Sequence, residues 1–363
     1  MLQNSSTDSL QTEFIPATLF LKSGEKFSGF SPPHQIPTAF GEVVFTTGMV
    51  GYPESLTDPS YAGQILVFSY PLIGNYGVAA RETWESSAIH VRGVVMSSLA
   101  LHYSSHTAQR SLLAWLHAEK IPLLTGVDTR AITTHIRDTG VIPGAITLDT
   151  TCPAQFEDFS KIHFVSEVSI SEPVYYGKGS KTIIVVDCGI KENILREFAE
   201  FPVRIKRVPW NYDFTDEPFD GVFISNGPGD PAHCRETIQI LAKALQKNKP
   251  IFGICLGTQL LALAVGAKTY KLSFGHRSQN QPCQDTETGR CYLTSQNHSY
   301  AVDETTLPSD WKVLFRNLND QSIEGIAHQT LPFFAVQFHP ESCPGPLDTQ
   351  WLFQKFYDAV CRY

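Results

Sequence analysis

The sequence lacks the patterns that mark secreted, membrane-spanning and disordered proteins. Residues 1–13 are polar and do not have the basic-then-apolar order of a signal peptide. The longest apolar stretch, residues 251–267, is shorter than the about 20 residues of a membrane span and is interrupted by Thr258 and Gln259. Hydrophobic residues make up 42% and charged residues 18% of the 363 residues, as in ordinary folded proteins. We therefore expect a folded, soluble protein that does not bind membranes.

Paired cysteines and excess positive charge are also missing. The eight cysteines include no Cys-x-x-Cys pair and no dense framework, which indicates free thiols in a reducing compartment and predicts a cytoplasmic location. Acidic residues outnumber basic residues by 36 to 28, which gives a formal net charge of −8. Because such a surface repels phosphate backbones, we do not expect nucleic acid as a partner.

The chain divides into two halves where its pattern changes. Residues 1–150 are interpreted as a smaller mixed α/β domain, with strands over 17–21, 43–46, 65–70 and 91–96, and helices over 108–120 and 128–138, the second capped by Asp128. Residues 151–180 have weak periodicity and are interpreted as a linker. In residues 181–363, strands over 182–186, 203–208, 221–224 and 251–254 alternate with helices over 191–199, 235–246 and 258–265. This alternation predicts an α/β fold with a doubly wound, mostly parallel sheet, whose ligands bind at the carboxyl ends of the strands.

The strongest candidate for chemistry is Gly253-Ile254-Cys255-Leu256-Gly257, between a buried strand and a helix. A glycine on each side of Cys255 permits the tight turn of a nucleophile elbow, and the helix N-terminus favours the nucleophilic thiolate. The alternative is that Cys255 is a small core residue beside a glycine-rich turn.

A base for this nucleophile is predicted where a later strand ends, at Phe338-His339-Pro340-Glu341. His339 would lie at the carboxyl end of that strand, and Glu341 would orient its imidazole. Alternatively, His339 is a structural histidine. A third element, Ser225-Asn226-Gly227-Pro228-Gly229-Asp230-Pro231, would aim backbone N–H groups at an oxyanion, or would form only a tight strand-to-helix turn.

Together these three elements resemble the signature blocks of class I glutamine amidotransferase domains, over residues 181–363. Further motifs are distributed along the whole chain: Phe45-Thr46-Thr47-Gly48-Met49-Val50-Gly51-Tyr52, Leu56-Thr57-Asp58-Pro59-Ser60-Tyr61, Tyr70-Pro71-Leu72-Ile73-Gly74-Asn75-Tyr76-Gly77, Gly126-Val127-Asp128-Thr129-Arg130, Phe274-Gly275-His276, Gln296-Asn297-His298 and Ser342-Cys343-Pro344-Gly345-Pro346. With these motifs the chain resembles, nearly from end to end, the small subunit of carbamoyl-phosphate synthetase.

The resemblance implies hydrolysis of L-glutamine by a triad, with Cys255 as nucleophile, His339 as base and acid, and Glu341 as the residue that orients His339. It also implies an oxyanion hole and a set of glutamine contacts. The oxyanion hole would use the backbone N–H groups of Gly229 and Leu256, and the contacts would be Gly48, Gly227, Gln259, Asn297, Ser299 and Tyr300. The sequence departs from the common family pattern, in ways that bear on substrate fit and subunit coupling, at Thr258, Ser278, Gln279, Gln281 and Ser299.

The resemblance further implies a partner. A separate large subunit would bind ATP, Mg²⁺ and bicarbonate, dock on residues 1–150, and use the ammonia to make carbamoyl phosphate for pyrimidine and arginine biosynthesis. This chain has no G-x-x-x-x-G-K-[ST] loop, and we expect no metal or organic cofactor in it. Two alternatives stay open. One is the glutaminase subunit of another amidotransferase, such as anthranilate synthase, which lacks this kind of N-terminal half. The other is a catalytically silent regulatory or scaffold subunit.

Overall fold

The computed structural model describes residues 13–33, 35–149 and 151–363, which form two compact units. The first unit contains the described residues up to Thr46, Gly63–Thr83 and Val91–Phe159. The second contains Thr47–Ala62, Trp84–His90 and Ser160–Tyr363, so it includes two short segments from the N-terminal half. The predicted domain boundaries at residues 150 and 181 stay predictions. The stretch interpreted as lacking a signal peptide lies almost wholly outside the described residues.

The helices and strands follow one another along the chain as a mixed α/β series. Up to Tyr176 they are β1 (Ile15–Leu21), β2 (Lys26–Ser31), β3 (Thr38–Thr46), α1 (Tyr52–Thr57), β4 (Gln64–Ile73), β5 (Gly93–Leu99), α2 (Leu112–Ala118), β6 (Leu123–Leu124), α3 (Thr129–Thr139), β7 (Ile142–Thr147), α4 (Phe164–Val168) and β8 (Val174–Tyr176). From Lys181 onward they are β9 (Lys181–Asp187), α5 (Glu192–Ala199), β10 (Val203–Pro209), β11 (Gly221–Ile224), α6 (Arg235–Leu245), β12 (Ile251–Ile254), α7 (Leu256–Ala264), β13 (Lys268–Asp285), β14 (Cys291–Asp303), β15 (Trp311–Asn317), β16 (Ile323–His328), β17 (Phe333–Val336) and α8 (Trp351–Arg362).

The first unit is built on a seven-stranded mixed sheet in the order β2-β1-β7-β3-β4-β5-β6. Its β3, β4, β5 and β6 pair in parallel, whereas β1, β2 and β7 join the sheet by antiparallel pairing. The helix cap predicted at Asp128 is confirmed, because the carboxylate accepts a hydrogen bond from the Ala131 N–H at 2.9 Å.

The second unit is built on a ten-stranded sheet in the order β14-β13-β15-β16-β17-β12-β11-β9-β10-β8. The five strands from β17 to β10 are all parallel; α5 connects β9 to β10, and α6 connects β11 to β12. On either side of this centre the sheet continues with antiparallel strands, β13 to β16 and β8. The predicted α/β class and doubly wound centre are confirmed, and the antiparallel extensions were not predicted.

Both faces of the parallel centre are covered, which explains its continuous apolar strands. Along β9, the side chains of Ile184 and Val186 enter one core cluster together with residues of α6 and α7. The intervening Ile183 and Val185 enter a second cluster with residues of α5 and α8. Because the helices cover the two faces of the sheet, a binding site is expected at the carboxyl ends of its parallel strands. Among the described residues, no helix is long and apolar enough to cross a membrane.

Candidate active site

Cys255 occupies a sharp turn between β12 and α7, with backbone φ of 54° and ψ of −105°. A conformation of this kind costs a non-glycine residue of order 1–3 kcal/mol and is found mainly at functional sites. The neighbouring glycines permit the turn, since a Cβ on Gly257 would lie 2.3 Å from the Ile224 carbonyl oxygen and one on Gly253 would lie 2.8 Å from the Gly257 backbone. The thiol is thereby held at the N-terminus of α7, where Cys255 is only 2% exposed.

His339 and Glu341 follow β17, the parallel neighbour of the strand that leads to Cys255. The Cys255 N–H donates to the Val336 carbonyl at 2.8 Å, which fixes the elbow against the end of β17. The His339 Nδ1 lies 2.6 Å from the Glu341 Oε1, and both side chains are buried. Because Nδ1 faces the carboxylate, Nε2 is the imidazole nitrogen that is left for the thiol.

The charges of this pair reinforce one another. Burial alone would lower the pKa of His339, but the Glu341 carboxylate and the Cys255 thiol raise it well above its ordinary value. Burial alone would raise the pKa of Glu341, but Lys191 and His339 lower it. The raised pKa of His339 and the lowered pKa of Glu341 both favour an imidazolium–carboxylate pair at neutral pH. In this pair His339 carries a proton that it is able to donate.

Lys191 was not among the residues predicted from the sequence, although it contacts the Glu341 carboxylate. Lys191 is 3% exposed, and its Nζ lies 3.1 Å from Glu341 Oε1 and 2.5 Å from the Ser342 carbonyl oxygen. Lys191 lies between β9 and α5, at the carboxyl end of a central parallel strand. The strand-end rule that located the other candidates would have found it as well.

A second unpredicted group comes from the N-terminal half of the chain. Asp58 is 5% exposed and accepts hydrogen bonds from the side-chain amides of Asn226, at 3.4 Å, and Asn297, at 3.0 Å. The hydroxyl of Ser60 accepts another from Asn226 at 2.9 Å. Both Asp58 and Ser60 belong to the Leu-Thr-Asp-Pro-Ser-Tyr motif, and they link this motif to the loop after β11 and to β14.

The loop that follows β11 has the tight backbone expected of an anion-binding turn. A Cβ on Gly227 would lie 2.1 Å from the Cys188 carbonyl oxygen, and Gly229 has a φ of +86°. Leu256 is the first residue of α7, and the N–H groups of a first helical turn have no partner within the helix. The oxyanion role of the Gly229 and Leu256 N–H groups stays a prediction.

The predicted glutamine contacts lie on several elements of the second unit. Gly48 is a buried residue of the Thr47–Ala62 segment, Gly227 follows β11, Gln259 lies in the first turns of α7, and Asn297, Ser299 and Tyr300 lie in β14. The Asn297 carbonyl oxygen is 3.6 Å from the Cys255 Sγ. These placements put Asn297 beside the Cys255 thiol, and the contact roles stay predictions.

Several of these side chains already have protein partners. The Gln259 amide donates to the Tyr300 carbonyl at 2.9 Å and to Gln337 Oε1 at 3.1 Å. The Ser299 hydroxyl accepts a hydrogen bond from Arg277 at 2.5 Å. A glutamine contact at Ser299, where the sequence departs from the family pattern, is therefore expected from its backbone.

One cluster has side chains of the kind that bind metals. Ligand atoms of His276, His298 and Glu324 all lie within 4.8 Å of one another, and the three residues are buried. The Gln296 Oε1 lies 2.9 Å from His276 Nδ1 and 3.0 Å from His298 Nε2, so an amide occupies the space between the imidazoles. We interpret the cluster as a polar network that joins β13 and β14, and the expectation of no metal in the chain stays a prediction.

Two protein-family models match the chain. The model described as "Carbamoyl-phosphate synthase small chain, CPSase domain" matches residues 19–146, and the model "Glutamine amidotransferase class-I" matches residues 184–359. Among curated relatives, the carbamoyl phosphate synthase arginine-specific small chain of Aspergillus oryzae is 48% identical, over 96% of this chain and 81% of that protein.

Two longer relatives also match. The multifunctional protein CAD of Squalus acanthias is 49% identical over 95% of this chain and 16% of its own length, and the multifunctional protein URA2 of Saccharomyces cerevisiae is 47% identical over 95% and 18%. The chain therefore spans less than a fifth of these two proteins.

The matches confirm the predicted enzyme class, a glutamine amidotransferase. The chain belongs to the family of carbamoyl phosphate synthase small chains and carries a class I glutamine amidotransferase domain.

Proposed function

We propose that the chain hydrolyses L-glutamine to glutamate and ammonia and supplies the ammonia for carbamoyl phosphate synthesis. The observation that carries this proposal is the buried contact between His339 and Glu341, beside Cys255 at a strained elbow. A strained turn is retained where the surrounding structure requires it, and here it presents a thiol to an imidazole.

In the first half of the reaction, the Cys255 thiolate would attack the side-chain amide carbon of glutamine and form a C–S bond. The N–H groups of Gly229 and Leu256 would hold the resulting oxyanion, and one such donor is typically worth about 3–4 kcal/mol of barrier. His339, as imidazolium, would transfer its Nε2 proton to the leaving nitrogen while the C–N bond breaks. Ammonia leaves, and a glutamyl thioester remains on Cys255.

In the second half, a water molecule would attack the thioester carbon and give a proton to the neutral His339. The C–S bond then breaks, which releases glutamate and restores the thiolate–imidazolium pair. Glu341 would take part only by holding the imidazole and stabilising its charge. The side chains named here complete both steps without a metal or an organic cofactor.

The proposed partner is a carbamoyl phosphate synthase large subunit, which would form a heterodimer with this chain in the cytoplasm. That subunit would bind ATP, Mg²⁺ and bicarbonate and receive the ammonia, and residues 1–150 would provide its docking surface. The carbamoyl phosphate would serve arginine and pyrimidine biosynthesis. Support comes from the arginine-specific small chain of Aspergillus oryzae and from the multifunctional relatives.

The test is Cys255→Ser in the complex of this chain with its large subunit. Glutamine-dependent carbamoyl phosphate synthesis should be lost, while synthesis from added ammonia should persist, because the large subunit would perform that chemistry. A matched control is Cys234→Ser, since Cys234 is also buried and also precedes a helix, α6. Glutamine-dependent synthesis in Cys255→Ser at the rate of this control would refute the assignment. A wild-type chain that releases no glutamate would favour the silent-scaffold alternative.

A further inference from the structure

We propose that Lys191 is a positioning residue of the triad, whose ammonium group fixes the Glu341 carboxylate in the orientation that serves His339. This inference rests on the proposed glutaminase function. Lys191 would touch neither glutamine nor the reacting atoms, and it would act through Glu341 alone.

The geometry of the Glu341 carboxylate carries the proposal. Its Oε1 accepts hydrogen bonds from both the His339 Nδ1, at 2.6 Å, and the Lys191 Nζ, at 3.1 Å. Its Oε2 is buried and has no hydrogen-bond partner in the part of the chain that the structure describes. Two donors on one oxygen therefore define which way the carboxylate faces. If the lysine is removed, the one side-chain hydrogen-bond partner left to this carboxylate among the described residues is the imidazole that Glu341 is supposed to hold in place.

Lys191 is itself held rigidly, which a positioning residue requires. Its backbone N–H donates to Asn226 Oδ1 at 3.1 Å, and its Nζ also donates to the Ser342 carbonyl oxygen. These contacts join the loops that follow β9, β11 and β17. The lysine thus connects the turn predicted to bind the oxyanion with the segment that carries His339 and Glu341.

The charges around Lys191 keep it an ammonium group. Burial alone would lower the pKa of Lys191, but Glu341, Glu85 and Asp58 raise it. The charged and titratable side chains that face the Lys191–Glu341 pair are Glu54, Asp58, Glu85, Arg196, Glu197, His339 and Cys343. Acidic groups outnumber basic ones in this set, so the buried carboxylates depend on the lysine for much of their compensation.

Loss of the ammonium group would therefore change the titration of Glu341 in a defined direction. Burial raises the pKa of Glu341, and Lys191 opposes that effect. Without the lysine, Glu341 should take up a proton at a higher pH than in the wild type. A protonated Glu341 would stabilise the imidazolium poorly, so the acid side of the rate profile should move to higher pH.

The experiment compares Lys191→Met with Lys206→Met in the complex with the large subunit. Lys206 is a matched control, because it is also a buried lysine of the second unit; it lies on β10 and pairs with Glu217 and Tyr212 of the following loop. For Lys191→Met we expect glutaminase kcat to fall by about 10- to 100-fold, the loss that follows a small misplacement of catalytic groups. We expect KM for glutamine to change less than about twofold and the acid limb of kcat to move up by about one pH unit or more.

Nuclear magnetic resonance of the His339 imidazole provides a readout that is independent of activity. Between pH 4 and 8, the acid step of the coupled His339–Glu341 titration should move upward in Lys191→Met and stay in place in Lys206→Met. Unchanged kcat and an unchanged titration step in Lys191→Met would overturn the inference. A loss of kcat without a shift of either pH-dependent step would also overturn it, because that result indicates a purely structural role. An inactive wild type would refute the proposed function, and the titration would still decide the positioning role.

Discussion

Substitution of Gly257 by alanine should damage the Cys255 elbow more than it damages the fold. The added Cβ would lie 2.3 Å from the Ile224 carbonyl oxygen, whereas ordinary contacts begin at 3.4 Å. The start of α7 must therefore move away from the end of β11 by about 1 Å, and overpacking of this kind costs about 1–3 kcal/mol. The same movement displaces the Cys255 thiol and the Leu256 N–H, and a misplacement of about 1 Å costs roughly 100-fold in rate.

The assay measures glutaminase kcat together with the free energy of unfolding in denaturant. Gly266→Ala is the control just beyond the other end of the same helix, where φ is +90° and, among the described residues other than its two chain neighbours, no atom lies within 4 Å of the added Cβ. Left-handed strain should cost this control about 1–2 kcal/mol, an effect comparable with that in Gly257→Ala. Because Gly266 lies away from the elbow, its substitution should leave kcat unchanged.

A wild-type kcat in folded Gly257→Ala would contradict the expected displacement of Cys255. An equal loss of kcat in Gly266→Ala at equal stability would also contradict it, because the loss would then follow general destabilisation. A large fall in kcat confined to Gly257→Ala would support a close approach of α7 and β11 that sets the position of the nucleophile.

Two further predictions concern buried charged groups. His339→Asn should remove most glutaminase activity, whereas Glu341→Gln should cost less, because Glu341 would orient the imidazole and transfer no proton. Steady-state rates of the two folded variants test this, and the opposite order would show that the roles are wrongly assigned. Burial raises the pKa of Glu85 from its ordinary value of 4.5 to about 7. Between these two pH values the folded state binds a proton that the unfolded state has released. The stability of the wild type should therefore fall as the pH rises from about 4.5 to about 7. Glu85→Gln mimics the neutral form, so it should gain stability relative to the wild type between pH 5 and 8, by up to about 3 kcal/mol. Denaturant unfolding at both pH values measures this gain, and an equal difference at the two would contradict it.

The central strands of the second unit could be predicted because their burial is visible in the sequence. Residues 182–186 form a continuous apolar, β-branched run, and the corresponding strand β9 is covered on both faces. The long strands β13 and β14 were missed, because register shifts after Lys271 and Ser278 interrupt the period of two. Helix α8 was also missed, although its buried Leu352, Phe356 and Val360 have helical spacing.

Some residues of the candidate site could likewise be predicted from the sequence, and others could not. The elbow and the His-Pro-Glu segment could be predicted because glycine, proline and a strand end leave local marks in the sequence. A strand end also precedes Lys191, but the contact that gives Lys191 its role leaves no local mark, and neither does that of Asp58, because the partners of both residues are distant in the chain. Lys191 meets Glu341 across 150 positions, and Asp58 meets Asn226 across 168. Only the three-dimensional structure brings these groups together.

The discontinuous course of the second unit has a consequence for recombination between relatives. The described chain passes between the two units five times, so no single crossover exchanges either unit whole. A hybrid joined at residue 181 would take Asp58 and Glu85 from one parent, and Lys191, Asn226 and Asn297 from the other. Hybrids of small chains should therefore retain glutamine hydrolysis best when residues 47–62 and 84–90 are inherited together with the amidotransferase domain.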